Sequence, residues 1–185
     1  MPTVTIRPAL PSDLPDLSAL VATALPELKL VNTTPWSRRL GSGEHWDSNL
    51  LLVAVDQQGS LLGTCWADSA IYRDYGCPVP WWCLNVIAVS PVTRGQGLGS
   101  RLVDEVIERA QAVGVSSLYG LCVPDVVGFY ARQGLSVTAP GARLTSDVAP
   151  TDAPDQPLEL TAPEDHCWFV TDVGTTPLPR LYLTS

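Results

Sequence analysis

Three glycines at alternate positions, Gly95, Gly97 and Gly99, stand between Arg94 and Ser100. Glycine has no Cβ, so main-chain N–H groups in such a run close on an anion without steric obstruction. If the run opens a helix, that helix leaves its first N–H groups unpaired, and its macrodipole adds partial positive charge there. Arg94 contributes a full charge and Ser100 a hydroxyl donor. The chemistry is that of a phosphate cradle; the plainer alternative is a tight turn whose glycines only permit close packing. A Walker loop needs Gly-Lys-Ser/Thr four residues after its first glycine, and no lysine stands here. The dinucleotide fingerprint G-x-G-x-x-G also fails, because the sixth position counted from Gly95 is Ser100. What the segment satisfies is R-x-x-G-x-G, from Arg94 to Gly99.

A cradle of this kind requires a strand to deliver it and a helix to leave it. The run WWCLNVIAV, 81–89, is nearly all apolar and predicts a central strand covered on both faces. From Gly97 to Val113, Leu98, Leu102, Val103, Val106, Ile107 and Ala110 form one stripe opposite Asp104, Glu105, Glu108 and Arg109, the pattern of an amphipathic helix. Upstream, TVTIRPA predicts a first strand. Ser12-Asp13 offers a cap to a helix carrying Leu14, Leu17, Leu20, Val21 and Ala24. Residues 25–48 are irregular, with a short helix near Trp36 to Leu40. NLLLVAV and SLLGTCWADSAIY predict an antiparallel pair about the turn Asp56 to Gly59. Downstream, SSLYGLCV predicts a strand, and Pro124 opens a short helix through Gln133, stopped by Gly134. HCWFVTDV and RLYLTS read as the last strands. The order predicts one α/β domain with a mixed sheet over 1–185, a cofactor core at about 81–135, and an acidic proline-rich loop at about 139–165.

On its strand-to-helix junction, the segment NVIAVSPVTRGQGLGSRLV, 85–103, resembles the coenzyme A signature of the GNAT superfamily of N-acetyltransferases, Gln/Arg-x-x-Gly-x-Gly/Ala. A second stretch, Phe129-Tyr130-Ala131-Arg132-Gln133-Gly134-Leu135, is similar to that family's Phe-Tyr helix with its following Gly-Phe. The resemblance implies the GNAT acyl-CoA N-acyltransferase fold, a mostly antiparallel central sheet with helices on both faces. It also implies acetyl-CoA as cosubstrate and a primary amine, of a small molecule or a peptide N-terminus, as acceptor. The strand before the glycines would splay from its neighbour and pair its main chain at Ile87, Ala88 and Val89 with the pantetheine arm. Arg94, Gly95, Gln96, Gly97, Leu98, Gly99 and Ser100 would hold the pyrophosphate. An N–H near Val89 would polarise the thioester carbonyl, and Tyr130, a phenol of ordinary pKa about 10, would protonate the departing thiolate.

This sequence departs from the family at two places. Val123 stands where many members carry asparagine, and Cys83 where some carry a glutamate base. An alkyl ammonium has a pKa near 10, so some group must take its proton. Asp68, Glu44 and His45 are the groups considered, and none is assigned. These departures keep an alternative in view, a catalytically weak module that binds or senses acyl-CoA. The acceptor pocket is expected between residues 25–48 and 139–165. Trp36, Trp46, Trp81 and Trp82 serve there or in the core. Dimers are common among such proteins, so a homodimer is compatible.

The formal net charge of −8 disfavours a nucleic-acid partner. Between Ala139 and Asp165 six acids face one base, Arg143, which suits attraction of a cationic amine as well as a solvated loop. No basic stretch followed by an apolar one opens the chain, and no apolar run reaches the roughly 18 residues of a membrane span. Five cysteines without a C-x-x-C pair, and two histidines, predict reduced thiols, no metal site and a cytoplasmic protein.

Overall fold

The computed structural model describes residues 4–26, 35–69, 79–146, 157–174 and 181–184. Ten strands occur among them: β1 (Thr5–Pro8), β2 (Leu50–Val55), β3 (Leu61–Asp68), β4 (Trp81–Val89), β5 (Ser117–Cys122), β6 (Ser136–Val137), β7 (Arg143–Ser146), β8 (Glu159–Thr161), β9 (Cys167–Asp172) and β10 (Leu181–Thr184). The α-helices among the described residues are α1 (Leu14–Ala24), α2 (Leu98–Ala112) and α3 (Val127–Arg132). Seven strands form the main sheet in the order β1-β2-β3-β4-β5-β9-β6. Its pairs are antiparallel except β4 with β5. None of the described helices is long and apolar enough to cross a membrane.

Alternation along β2 shows why both faces are covered. Leu50, Leu52 and Ala54 join the cluster under α2, whereas Leu51, Val53 and Val55 pack with Leu17 and Val21 of α1. The expected stripe of α2 is buried at Leu98, Leu102, Val103, Val106 and Ala110. Each fully buried Leu or Val there contributes about 1.5–3 kcal/mol. Helices therefore lie on both faces of a mostly antiparallel sheet, as expected.

β4 carries one extra residue. Trp66 pairs with Val86 and Ala67 with Leu84, so Asn85 is a β-bulge. A bulge bends its strand and increases the local twist. It also resets the alternation: Trp82 and Leu84 before it, and Ile87 and Val89 after it, all face α2. Beside the bulge, β4 and β5 part. Their parallel register holds at Trp81↔Ser117, Trp82↔Leu118 and Cys83↔Tyr119 only. β4 nevertheless stays on β3 to Val89, and β5 stays on β9 to Cys122. Gly120 sits where they separate: a Cβ there would lie 2.7 Å from the Leu84 carbonyl oxygen and 2.3 Å from Phe169 Cζ.

Four expectations are corrected. Residues 139–165 are not one loop, because β7 and β8 lie within them; Asp147, Asp152 and Asp155 fall outside the described residues. The RLYLTS strand, β10, pairs with β7 in a separate three-stranded sheet rather than the main one. Few apolar residues mark these strands, but Leu144, Leu158 and Leu181 bury against Trp81, Tyr119 and Trp168 and fix the small sheet onto the large. Asp13 does not cap α1 through its side chain. Its carboxylate accepts from the Leu10 N–H at 2.7 Å and from both terminal nitrogens of Arg7 at 2.7 and 3.0 Å. The short helix expected near Trp36 is a single 3-10 turn, Trp36–Arg39.

Candidate functional site

After β4 a 3-10 turn, Pro91–Thr93, leads into the glycine run. Gly95 and Gly97 have φ of 77° and 79°, and a Cβ at either would meet nothing within 4 Å. The requirement there is conformational rather than spatial, since an L-residue in this region costs about 1–2 kcal/mol. Gly97 is the N-cap of α2 and no side chain caps the helix. The first bond of the helix runs from the Arg101 N–H to the Gly97 carbonyl at 3.1 Å, so the N–H groups of Leu98, Gly99 and Ser100 are left without intrahelical partners. Gly99 serves a different need, because a Cβ there would lie 3.3 Å from the Phe129 ring.

These groups line a cavity of about 340 Å³ together with Val89, Phe129, Arg132 and Gln133. Gln133 Nε2 donates to Ser100 Oγ at 2.8 Å, which leaves the serine's own proton free to donate. Arg94 lines the cavity but is tied back: Nη2 donates to the Ala24 carbonyl at the end of α1, and Nε to the Val89 carbonyl at 3.4 Å. Arg132, a second cation at the same cavity, was not singled out from the sequence. Gln96 does not line it; Nε2 reaches the Val92 carbonyl at 3.5 Å. The Leu98 side chain is in the core, so that residue offers only its main chain.

A second cavity, about 270 Å³, occupies the gap between the parted ends of β4 and β5. Phe129 borders both cavities, so they follow one another along β4. Ile87 lines the second and Val89 the first. The Ala88 side chain packs on the α1 face instead. Beyond Cys83 the side of β4 turned toward β5 has no strand partner, so its main-chain donors and acceptors are open to an extended ligand. Leu121, Val123 and Val126 line this cavity and are exposed, giving it an apolar rim.

Tyr130 belongs to the same cavity. Its ring is stacked on Phe169 and meets Phe129 edge-on. Burial pushes the phenol well above its ordinary pKa, with Cys122 adding to the rise. A phenol so placed stays protonated across the neutral range and so has a proton to give.

The other expected residues separate. Glu44 and His45 are exposed away from this cavity. Asp68 is buried and accepts from Asn85 Nδ2 at 3.3 Å. Burial pushes the Cys83 thiol up to about 12, so it is no base. Trp81 and Trp82 are fully buried and Trp36 is buried, whereas Trp46 packs against the core; none lines the cavities along β4. Residues missed from sequence also reach the site. Asn85 and His166 both line the second cavity, and His166 Nδ1 lies 2.7 Å from Asp165 Oδ1. The bulge alone brings in Asn85. His166 heads the run HCWFVTDV, which in the sequence reads only as a strand.

Comparison with known proteins bears on the family and the fold. The model of the acetyltransferase (GNAT) family matches residues 20–135, more than half of the chain. Glucosamine 6-phosphate N-acetyltransferase 1 of Oryza sativa subsp. japonica is 38% identical over 48 residues, 26% of this chain and 29% of that relative's length. Among solved structures, the ribosomal-protein-S18-alanine N-acetyltransferase of Escherichia coli superposes with a TM-score of 0.61 at 16% identity, covering 94% of this chain and 96% of that one. A phosphinothricin acetyltransferase of Sinorhizobium meliloti, in complex with AcCoA, superposes with a TM-score of 0.61 at 20% identity, covering 95% of this chain and 91% of that one.

Proposed function

The chain belongs to the GNAT acetyltransferase family, and from that premise we propose that it moves the acetyl group of acetyl-CoA to a primary amine of a small molecule or a peptide N-terminus. It is an acyltransferase, and acetyl-CoA is its cosubstrate. The observation that carries the finer reading is the sequence of two cavities along β4, an amide-lined cradle followed by a gap beside unpaired strand.

In this reading the N–H groups of Leu98, Gly99 and Ser100 and the main chain of Gly95, Gln96 and Gly97 hold the pyrophosphate, with Arg94 and Arg132 supplying charge. Ile87, Ala88 and Val89 pair through their main chain with the amides of the pantetheine arm, which takes the place of the missing strand neighbour. The Val89 N–H donates to the carbonyl oxygen as charge develops there. Tyr130 gives its proton to the thiolate as the C–S bond breaks. Holding amine and thioester in line supplies much of the acceleration.

The similar proteins named above have an alanine of a ribosomal protein, phosphinothricin and glucosamine 6-phosphate in their names, so the test covers all these classes. A mass-spectrometric screen of peptide N-termini, amino acids and amino sugars with acetyl-CoA is expected to show protein-dependent acetylation of at least one amine. Acetyl-CoA is also expected to raise the melting temperature by linkage. Absence of both results rejects the reading. A second reading, an acyl-CoA-binding module without turnover, is favoured by the neutral thiol of Cys83 where a carboxylate base would stand. It predicts the melting shift with no acetylated amine.

A further inference from the structure

We propose that His166, oriented by Asp165, is the catalytic group that takes the proton of the acceptor amine. The inference rests on the acetyl-transfer reading above and adds the proton acceptor which that reading lacks. His166 and Tyr130 line the same cavity, one from the turn before β9 and the other from α3. An amine attacking a thioester held in the gap thus meets a proton acceptor and a proton donor across one space.

Asp165 fixes which nitrogen accepts. The hydrogen bond from the imidazole holds its carboxyl below the ordinary carboxylate range, so near neutrality it is ionised and only accepts. Nδ1, 2.7 Å from Asp165 Oδ1, must then carry the hydrogen. In the neutral ring Nε2 keeps its lone pair, and the carboxylate stabilises the imidazolium formed when Nε2 takes a proton. The backbone fixes the ring's origin: the His166 N–H donates to the Pro163 carbonyl at 3.0 Å, and the His166 carbonyl accepts from the Gly141 N–H at 3.1 Å.

The remaining titratable groups around it do not compete. Glu164 and Asp165 share its turn, and Glu164 does not line the cavity. Cys122, at the end of β5, has its thiol pushed up to about 11 by burial and by Cys167. Tyr130 stays protonated for the reason given above. Asn85 and the apolar lining do not titrate. Among the residues lining this cavity, His166 is the one whose side chain offers a ring nitrogen that can take up a proton and release it afterwards.

The step balances without a further reactant. Nε2 of His166 takes one proton from the ammonium and later releases it to solvent. The freed nitrogen lone pair forms the N–C bond, and the C–S electron pair leaves on sulfur, which takes the Tyr130 proton. The second surplus proton on nitrogen restores Tyr130, and the third stays on the amide.

The experiment compares wild type with His166→Ala, His166→Gln and Asp165→Asn, using the first primary amine that wild type acetylates in the screen. Both His166 variants are expected to lose about 10²–10⁴-fold in kcat while keeping the melting shift given by acetyl-CoA. Added imidazole is expected to restore rate to His166→Ala and not to His166→Gln, whose side chain fills the space. The residual rate of His166→Ala should climb with pH toward the amine's own pKa. Asp165→Asn should lose less and move the acid limb of the rate profile to lower pH, because the imidazolium loses its partner. A His166→Ala kcat equal to wild type with an unmoved acid limb overturns the assignment. So does a His166→Ala protein that folds, binds acetyl-CoA and is not rescued by imidazole. Failure of wild type itself to acetylate any amine is a different result: it removes the transfer reading, and this inference with it.

Discussion

Tyr130 lies flat on Phe169, with ring centroids 3.9 Å apart and planes inclined by 11°. The ring is therefore positioned by packing, and its hydroxyl is not needed to hold it. Tyr130→Phe should leave stability within about 0.5 kcal/mol of wild type and acetyl-CoA affinity unchanged, while kcat falls by about 10²–10⁴-fold. Steady-state kinetics beside calorimetric titration of the cosubstrate checks the split. An unchanged kcat removes the acid role from Tyr130.

Phe169 has a second neighbour that must stay small. A methyl group on Gly120 would collide with both the ring and the Leu84 carbonyl. Gly120→Ala should cost at least about 1–3 kcal/mol through overpacking and should also lower kcat, because a displaced Phe169 carries Tyr130 with it. Urea denaturation and turnover measured on the same preparation test the coupling; loss of stability with full turnover contradicts it.

Two arginines at the cradle have different ligand-free roles. Arg94 bonds to two carbonyls, whereas no described hydrogen bond or ion pair engages the Arg132 guanidinium. Each alanine variant should weaken acetyl-CoA by about 10–100-fold, as expected for loss of a hydrogen bond to a charged group. Only Arg94→Ala should also lose stability without ligand, by about 0.5–1.5 kcal/mol. Titration calorimetry and denaturation of the unliganded proteins separate the two.

Arg7 and Asp13 join β1 to the start of α1. The hydrogen bond from Arg7, with the Leu10 N–H and the arginine's charge adding to it, holds the Asp13 carboxyl below the ordinary carboxylate range despite partial burial. A group whose folded pKa is depressed stabilises above its unfolded value and loses that contribution as pH falls through the folded value. Asp13→Asn should therefore lower the urea midpoint at about pH 6, and the difference should shrink to nothing as the pH falls to about 2. A difference independent of pH would assign the effect to shape rather than charge.

Much of the cofactor half was legible because its signals are local. Glycines needing positive φ, a strand of unbroken apolar character and a helix with a clean stripe each declare themselves within a few residues. The acceptor half was less so. The Asn85 bulge depends on register with β3, which no local pattern encodes. β7, β8 and β10 are short, and the few apolar residues that anchor them find their partners on distant strands. His166 reaches the cavity only because β9 lies beside β5, so its chemistry follows from topology and not from its neighbours in the chain. Arg94 was expected as a free charge, and only the fold shows that Ala24 holds it.

The gap between β4 and β5 bears on how the protein survives as well as on what it does. A row of unsatisfied amides inside a sheet invites any stray extended segment, including one from another copy of the same chain. A thioester carrier bound along this row, as proposed above, would also shield it. Solubility should thus track carrier supply: preparations stripped of it should self-associate sooner on warming than laden ones.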